Sequence, residues 1–399
     1  PCQSRLKDIL LGLIMLSRLT KLLPILALTL LPTLLIWLPF FLRLGSFWGI
    51  PLPQRGMEVI VANYDGPLYL VAAKSFYNPE IIKSFEFSLP VEYYAAHFPL
   101  FPLLIKLAAV LLGFPYAMLA LTLLSSFLAI YFFYKFIKDY VNEKNALWLT
   151  AIFSVFPARF LIVRSVGSSE PLFIAAIIAS IYYFRKEKYL WAGIWGAIAT
   201  LTKSPGILLF LAYLGVILSS KVGKIATESF PKWIASLELK KYLPLLLVPA
   251  ALVAVFVFYW ITLGDFFAYF HSGDNIHLFF PPFSIFNYSA PWVGTFWLEE
   301  VIFVYLFGIL TLVRLINFRE RTLAWFVGII FTSLIFVSHR DLIRYGLPIV
   351  PFAILAFSET LIKKEFKIAL AVLAIPIYLF SLSYISQNVM QISDWAPFL

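Results

Sequence analysis

Runs of Leu, Ile, Phe, Val and Ala, many close to twenty residues long and none alternating with a two-residue period, recur along this chain from Leu22 to Ile385. A bilayer crossing needs about 20 mainly apolar residues, and the dry hydrocarbon forces backbone hydrogen bonds to close within helices or within a sealed barrel. Barrel strands would alternate lipid-facing and lumen-facing side chains, so helices win. The fold class that follows is an all-α polytopic integral membrane protein. Composition agrees, because 62% of the residues are hydrophobic and 13% charged, at a mean hydropathy of +0.90, whereas a soluble domain is about half apolar and about a quarter charged.

The runs place about eleven spans, at 22–42, 116–134, 146–163, 170–184, 189–202, 205–219, 242–263, 297–313, 322–338, 345–361 and 368–385, in a single transmembrane domain over 1–399. The first run lacks a small-residue cleavage site and reads as a retained helix. A net charge of +10 would suggest nucleic acid in a soluble protein. Here most of the 31 Lys and Arg fall in the N-terminal segment and in the loops after the second, fourth, sixth, eighth and tenth spans. The positive-inside rule then puts the N-terminus and these loops in the cytoplasm, and no nucleic-acid partner is expected. The one cysteine, Cys2, excludes an internal disulfide or a cysteine-rich metal site.

Residues 97–116 would pass as a further span by hydropathy. Pro99, Pro102 and Pro115 limit that helix to roughly a dozen residues, about 18 Å, and Lys106 interrupts its apolar face. Counting it would also move the basic loops outside. Residues 43–115 are therefore expected to form a first external segment with interfacial or re-entrant helices. The second long external segment, 264–296, is rich in Phe, Pro, Tyr, Asn and His, and reads either as a cover for a substrate entrance or as an aromatic lid that stabilises the bundle.

This topology gathers polar groups on the outer face. Tyr64 and Asp65 sit in Tyr-Asp-Gly-Pro-Leu-Tyr, and His97 in Ala-Ala-His-Phe-Pro-Leu-Phe-Pro. Arg164, Ser169 and Glu170 lie between the third and fourth spans, Lys203 between the fifth and sixth, and His339, Arg340, Arg344 and Tyr345 between the ninth and tenth. Each has a plain alternative. Asp-Gly-Pro is ordinary turn chemistry, Arg164 and Glu170 could pair with each other, Arg340 and Arg344 are spaced to snorkel from one helix face, the histidines can be structural, and the tyrosines suit an interfacial belt. Four charged turns on one membrane side nevertheless ask for an anionic ligand beside a carboxylate. Arg164, Lys203, Arg340 and Arg344 would hold a lipid phosphate, and Asp65 would act as general base on an acceptor hydroxyl.

The order of external Asp loop, Phe98-Pro99-Leu100-Phe101-Pro102-Leu103-Leu104, Ser168-Ser169-Glu170-Pro171-Leu172-Phe173 and Arg344-Tyr345-Gly346-Leu347-Pro348 resembles the GT-C superfamily of lipid-phosphosugar glycosyltransferases, and most of all the PIG-V-type mannosyltransferases. The correspondence is spread over most of residues 60–350. It implies that Asp65 is the catalytic base, that a dolichyl or polyprenyl phosphate sugar is the donor, that transfer inverts the anomeric centre, and that Ser169 and Glu170 line one cavity. The acceptor would be a glycolipid, glycan or protein. Tyr64 stands where that pattern has Trp, and the turn from Arg164 to Glu170 is more basic than the pattern. A monophosphate leaving group needs little neutralisation, so no obligatory metal is expected, although Asp65 and Glu170 could converge on a divalent ion. An external site suits the plasma membrane of an archaeon or bacterium, or the endoplasmic reticulum with the site in the lumen. A lipid-linked substrate transporter or flippase is the rival reading. Inverted repeats and paired broken helices, common in transporters, are not evident.

Overall fold

The computed structural model describes residues 2–85, 87, 89–220, 237–287 and 298–399, with side chains from Leu22 onward. Lys221, Lys224 and Lys232, residues 288–297 and the side chains of Arg5, Lys7, Arg18 and Lys21 lie outside the described residues.

The chain opens with α1 (Cys2–Phe41), a two-residue hairpin of β1 (Ser46–Phe47) and β2 (Ile50–Pro51), and the short helices α2 (Glu58–Val61), α3 (Gly66–Ser75) and α4 (Pro79–Lys83). α5 (Leu100–Leu112) and α6 (Phe114–Ile137) are separated at Gly113, whose φ of 73° lets the chain turn between two apolar helices. Then follow α7 (Glu143–Val155), α8 (Ala158–Val163), α9 (Glu170–Arg185), α10 (Tyr189–Thr202) and α11 (Leu208–Ser219). The second half holds α12 (Leu247–Leu263), the single turn α13 (Ala268–His271), α14 (Leu298–Asn317), α15 (Arg321–Leu334), the broken series α16 (Leu342–Gly346), α17 (Val350–Ala356) and α18 (Ser358–Leu361), and α19 (Lys364–Gln387).

Among the described residues each expected span overlaps helix, although the one at 322–338 leaves it after Leu334. Four helical stretches, Leu22–Phe41, Phe114–Ile137, Leu239–Leu263 and Lys364–Gln387, are long and apolar enough to cross a membrane by length and composition. Two expected spans are not single helices. The one at 146–163 breaks between α7 and α8, where Pro157 cannot continue a helical hydrogen-bond ladder. The one at 345–361 is divided among α16, a 3-10 turn at Leu347–Ile349, α17 and α18.

The centre of the bundle is α9, which packs between α6 and α10. Its residues from Glu170 to Ile181 are buried, the all-round burial expected of a core helix. Lipid tails are as apolar as leucine, so helices in a bilayer associate through close packing at small residues. α10 carries Ala192, Gly193, Gly196 and Ala199 on its buried side. A Cβ on Gly193 would lie 2.1 Å from the Pro244 carbonyl oxygen, so only glycine admits that approach. The N-terminus of α9 opens into the principal cavity.

Candidate active site

A cavity of about 960 Å³ is lined by, among others, the start of α3, the start of α9, the turn after α10, the loop 269–276, the segment 337–348 and the end of α19 with the residues after it. Tyr64, Asp65, His97, Glu170, Lys203, His339, Arg340, Arg344 and Tyr345 all line it. Asp65 occupies the N-cap position of α3, yet its carboxylate bonds no backbone N–H of that helix. It is turned instead to Arg344, whose Nη2 donates to Asp65 Oδ2 at 2.7 Å. Tyr64 adopts a left-handed φ of 50°, a conformation that costs energy for a residue with a Cβ and so requires the surroundings to hold it. A Cβ on Gly66 would sit 2.1 Å from the Val61 carbonyl oxygen, so glycine is required after Asp65 by close approach.

Arg344 serves two carboxylates. Its Nε donates to Glu170 Oε1 at 2.5 Å, the same oxygen that accepts from Lys203 Nζ at 2.5 Å. Ser168 Oγ donates to the other Glu170 oxygen. Glu170 is the first residue of α9, where the helix dipole favours an anion, and its side chain is 4% exposed against 28% for Asp65. The Arg344 guanidinium also lies 4.8 Å from the Tyr64 ring centroid. Burial pushes the Asp65 pKa up, but the adjoining Arg344 charge, helped by the neighbouring His97, outweighs it and holds the carboxyl below its ordinary value.

Arg164 is a correction. It was expected at the vestibule; it is fully buried and absent from the cavity wall. Its Nη1 donates to the Ser154 carbonyl at 2.6 Å and to Leu28 O at 3.3 Å, while Nη2 donates to Thr29 O. The reason is local. Pro32 has no N–H to offer Leu28 O, and Ser154 lies in the last turn of α7, where carbonyls lack helical partners. Arg164 satisfies both defects and therefore is not free for a ligand. Ser169 is not part of the wall; its hydroxyl bonds that of Tyr69, which is, with 2.6 Å between the two oxygens.

Sequence reasoning passed over a second ionic group. Arg159 Nε lies 3.3 Å from Asp341 Oδ1, its Nη1 donates to Tyr64 OH at 2.7 Å, and its guanidinium rests 4.0 Å from the Tyr384 ring centroid. The signal was an ionisable residue inside an expected span, a costly placement that marks function by default. Asp274 is the other omission. Its carboxylate accepts from Tyr93 OH at 3.0 Å and contacts His277 Nε2 at 3.1 Å. His277 stacks on His339, with ring centroids 4.8 Å apart, and the Ser338 N–H donates to His277 O at 3.1 Å. Burial, with the nearby His277 and Arg344, pushes His339 down to about 4, and burial likewise lowers His97. The His339 ring is therefore neutral near pH 7. Among the described residues, Arg340 makes no ion pair, and no group of three His, Cys, Asp or Glu side chains is placed to hold a metal ion.

The fold has solved counterparts. The Archaeoglobus fulgidus oligosaccharyltransferase in its apo form matches with a TM-score of 0.52 at 13% identity, over 93% of this chain and 57% of that one. The same archaeal enzyme, AglB, in complex with an inhibitory peptide and a dolichol-phosphate matches with a TM-score of 0.51 at 12% identity, over 93% of this chain and 57% of that one. A form tethered to an acceptor peptide containing the NVT sequon gives 0.52 at 13% identity, covering 93% and 56%. The chain thus spans little more than half the length of the structures it matches. No protein-family model matches it, and no curated protein matches it. At this identity the likeness establishes the fold alone, the one these oligosaccharyltransferase structures share with the chain over the matched length.

Proposed function

We propose that this protein is a membrane glycosyltransferase that moves a hexose, mannose in the first instance, from a polyprenyl or dolichyl phosphate to a hydroxyl of a glycolipid, glycan or protein acceptor on the outer face of the membrane. The observation that carries this reading is the shared Arg344: one guanidinium holds a half-buried carboxylate, Asp65, and a buried one, Glu170, at the wall of a large cavity. It is supported by a fold seen in a dolichol-phosphate-binding oligosaccharyltransferase. In the proposed arrangement the chain crosses about eleven times with its N-terminus in the cytoplasm, in an archaeal or bacterial plasma membrane or in the endoplasmic reticulum. The loop containing Asp274 covers the acceptor side.

The donor phosphate enters between Arg340, Arg344 and Lys203. Its charge draws Arg344 away from Asp65, and with that pairing weakened the Asp65 carboxylate becomes a stronger base. The acceptor oxygen attacks the anomeric carbon while the bond from that carbon to the phosphate oxygen breaks on the opposite face. Asp65 takes the acceptor proton, and the polyprenyl phosphate leaves with the bonding pair, so the anomeric centre inverts as in a single displacement. Preorganised cations at a developing phosphate charge supply several kcal/mol.

The test is transfer of labelled mannose from dolichyl phosphate mannose to a native lipid extract by detergent-purified protein, with the glucosyl donor alongside. Transfer without a sealed compartment is expected, with activity retained after chelation of divalent ions. No transfer from either donor would overturn the reading, and transfer restored only by a divalent ion would overturn its metal-free form.

A further inference from the structure

We propose that the end of α19 and the residues after it form a clasp that sets the position of Asp65, with Asn63 as the positioning residue; this rests on Asp65 being the base. Asn63 is fully buried. Its Nδ2 donates to the Ile385 carbonyl at 2.7 Å, in the last turn of α19, where that oxygen otherwise accepts only the long 3.4 Å contact from the Asn388 N–H among the described residues. The backbones then pair. Asn63 and Val389 form an antiparallel bridge, Met390 N–H donates to Ala62 O at 2.8 Å, and Tyr64 N–H donates to Asn388 O at 3.4 Å. On the other side, Gly66 N–H donates to Asn63 O at 3.0 Å.

These contacts flank a single residue held at positive φ, Tyr64, and the next residue is Asp65. A left-handed conformation at a residue with a Cβ persists only when its surroundings over-determine it, and the clasp supplies that determination from more than three hundred residues away in sequence. Because Asp65 is at an α3 N-cap without any cap bond of its own, nothing local fixes its carboxylate; the aim at Arg344 is inherited from the backbone at 62–64. The last turn of α19 and its tail, from Gln387 to Met390, also line the cavity, so the clasp and the base face the same ligand.

Two variants loosen the clasp by different routes. Asn63→Ala removes the buried amide, and Met390→Pro removes the N–H that bonds Ala62 O, at a position following a bridge residue whose extended backbone proline accepts, with Met390→Ala, which keeps the N–H, as the control for the lost side chain at the cavity wall. A displacement of about 1 Å at a reacting group can cost about 100-fold in rate. The expected result in the sugar-transfer assay is a kcat at least tenfold lower in both variants, a donor KM within about twofold, and faster amide exchange confined to residues 60–66. The acid limb of the pH profile should also move to higher pH, because a displaced Asp65 loses part of its Arg344 partner while His97 and Glu170 stay in place. Unchanged kcat and unchanged acid limb in a folded Met390→Pro protein would overturn the clasp while leaving Asp65 as base. Transfer by wild type that survives Asp65→Asn would overturn the reading on which the clasp depends.

Discussion

Asp65 and Glu170 share one arginine and have opposite surroundings. Glu170 accepts from Ser168, Lys203 and Arg344 and is almost wholly enclosed, whereas Asp65 has Arg344 alone and an open side. Removing one partner of a buried ion pair strands the others, at a cost of about 3–5 kcal/mol. Glu170→Ala should therefore lower the thermal unfolding midpoint by several degrees as well as abolish transfer, while Asp65→Asn should abolish transfer with a smaller fall in midpoint, because Arg344 keeps its bond to Glu170. Because the Asp65 pKa is held low in the folded protein, its stabilisation is present above the ordinary carboxylate value and is lost as pH falls through the depressed one. Arg344→Gln should move the acid limb of kcat/KM upward, and a limb that stays put would mean that another group titrates. Gly66→Ala should cost at least tenfold in kcat, read in the same assay, because a Cβ cannot coexist with the Val61 carbonyl.

Among the elements, helix positions were legible because apolar runs and basic loops carry a strong periodic signal, and the polar turns at Asp65, Glu170, Lys203 and Arg344 could be placed on one face. The breaks were harder to read. The interruption at Pro157 lies inside a continuous apolar run, and hydropathy does not register it, so Arg159 was absorbed into a span. Arg164 looked like a site residue because its charge was visible and its three carbonyl partners were not: one carbonyl is freed by Pro32 in α1 and another by the end of α7. That placement predicts that Arg164→Leu destabilises by at least about 2 kcal/mol, since hydrogen bonds to a charged group contribute about 1.5–3 kcal/mol each. Donor KM at permissive temperature should be unchanged. A raised KM with an unaltered unfolding midpoint would return Arg164 to the site. Asp274 was missed for another reason: a carboxylate in an aromatic-rich loop gives no spacing cue, and only the fold brings it beside Tyr93 and His277.

On the scale of the whole molecule, the cavity lies where α3, α9, the turn after α10 and the segment around Arg344 meet, and the proposed topology puts that junction outside. In a chain whose Cys2 has been replaced, an impermeant thiol reagent should label Glu92→Cys in sealed right-side-out membranes and should not reach Lys363→Cys, both positions being exposed. The reverse pattern would invert the topology. The central claim is that a single carboxylate at this junction performs the base chemistry. Its most direct test is initial-rate transfer of labelled mannose from dolichyl phosphate mannose by folded wild-type and Asp65→Asn proteins. General-base catalysis contributes about 10²–10⁴-fold, so the account predicts a loss of at least about a hundredfold in the variant; equal rates would contradict it.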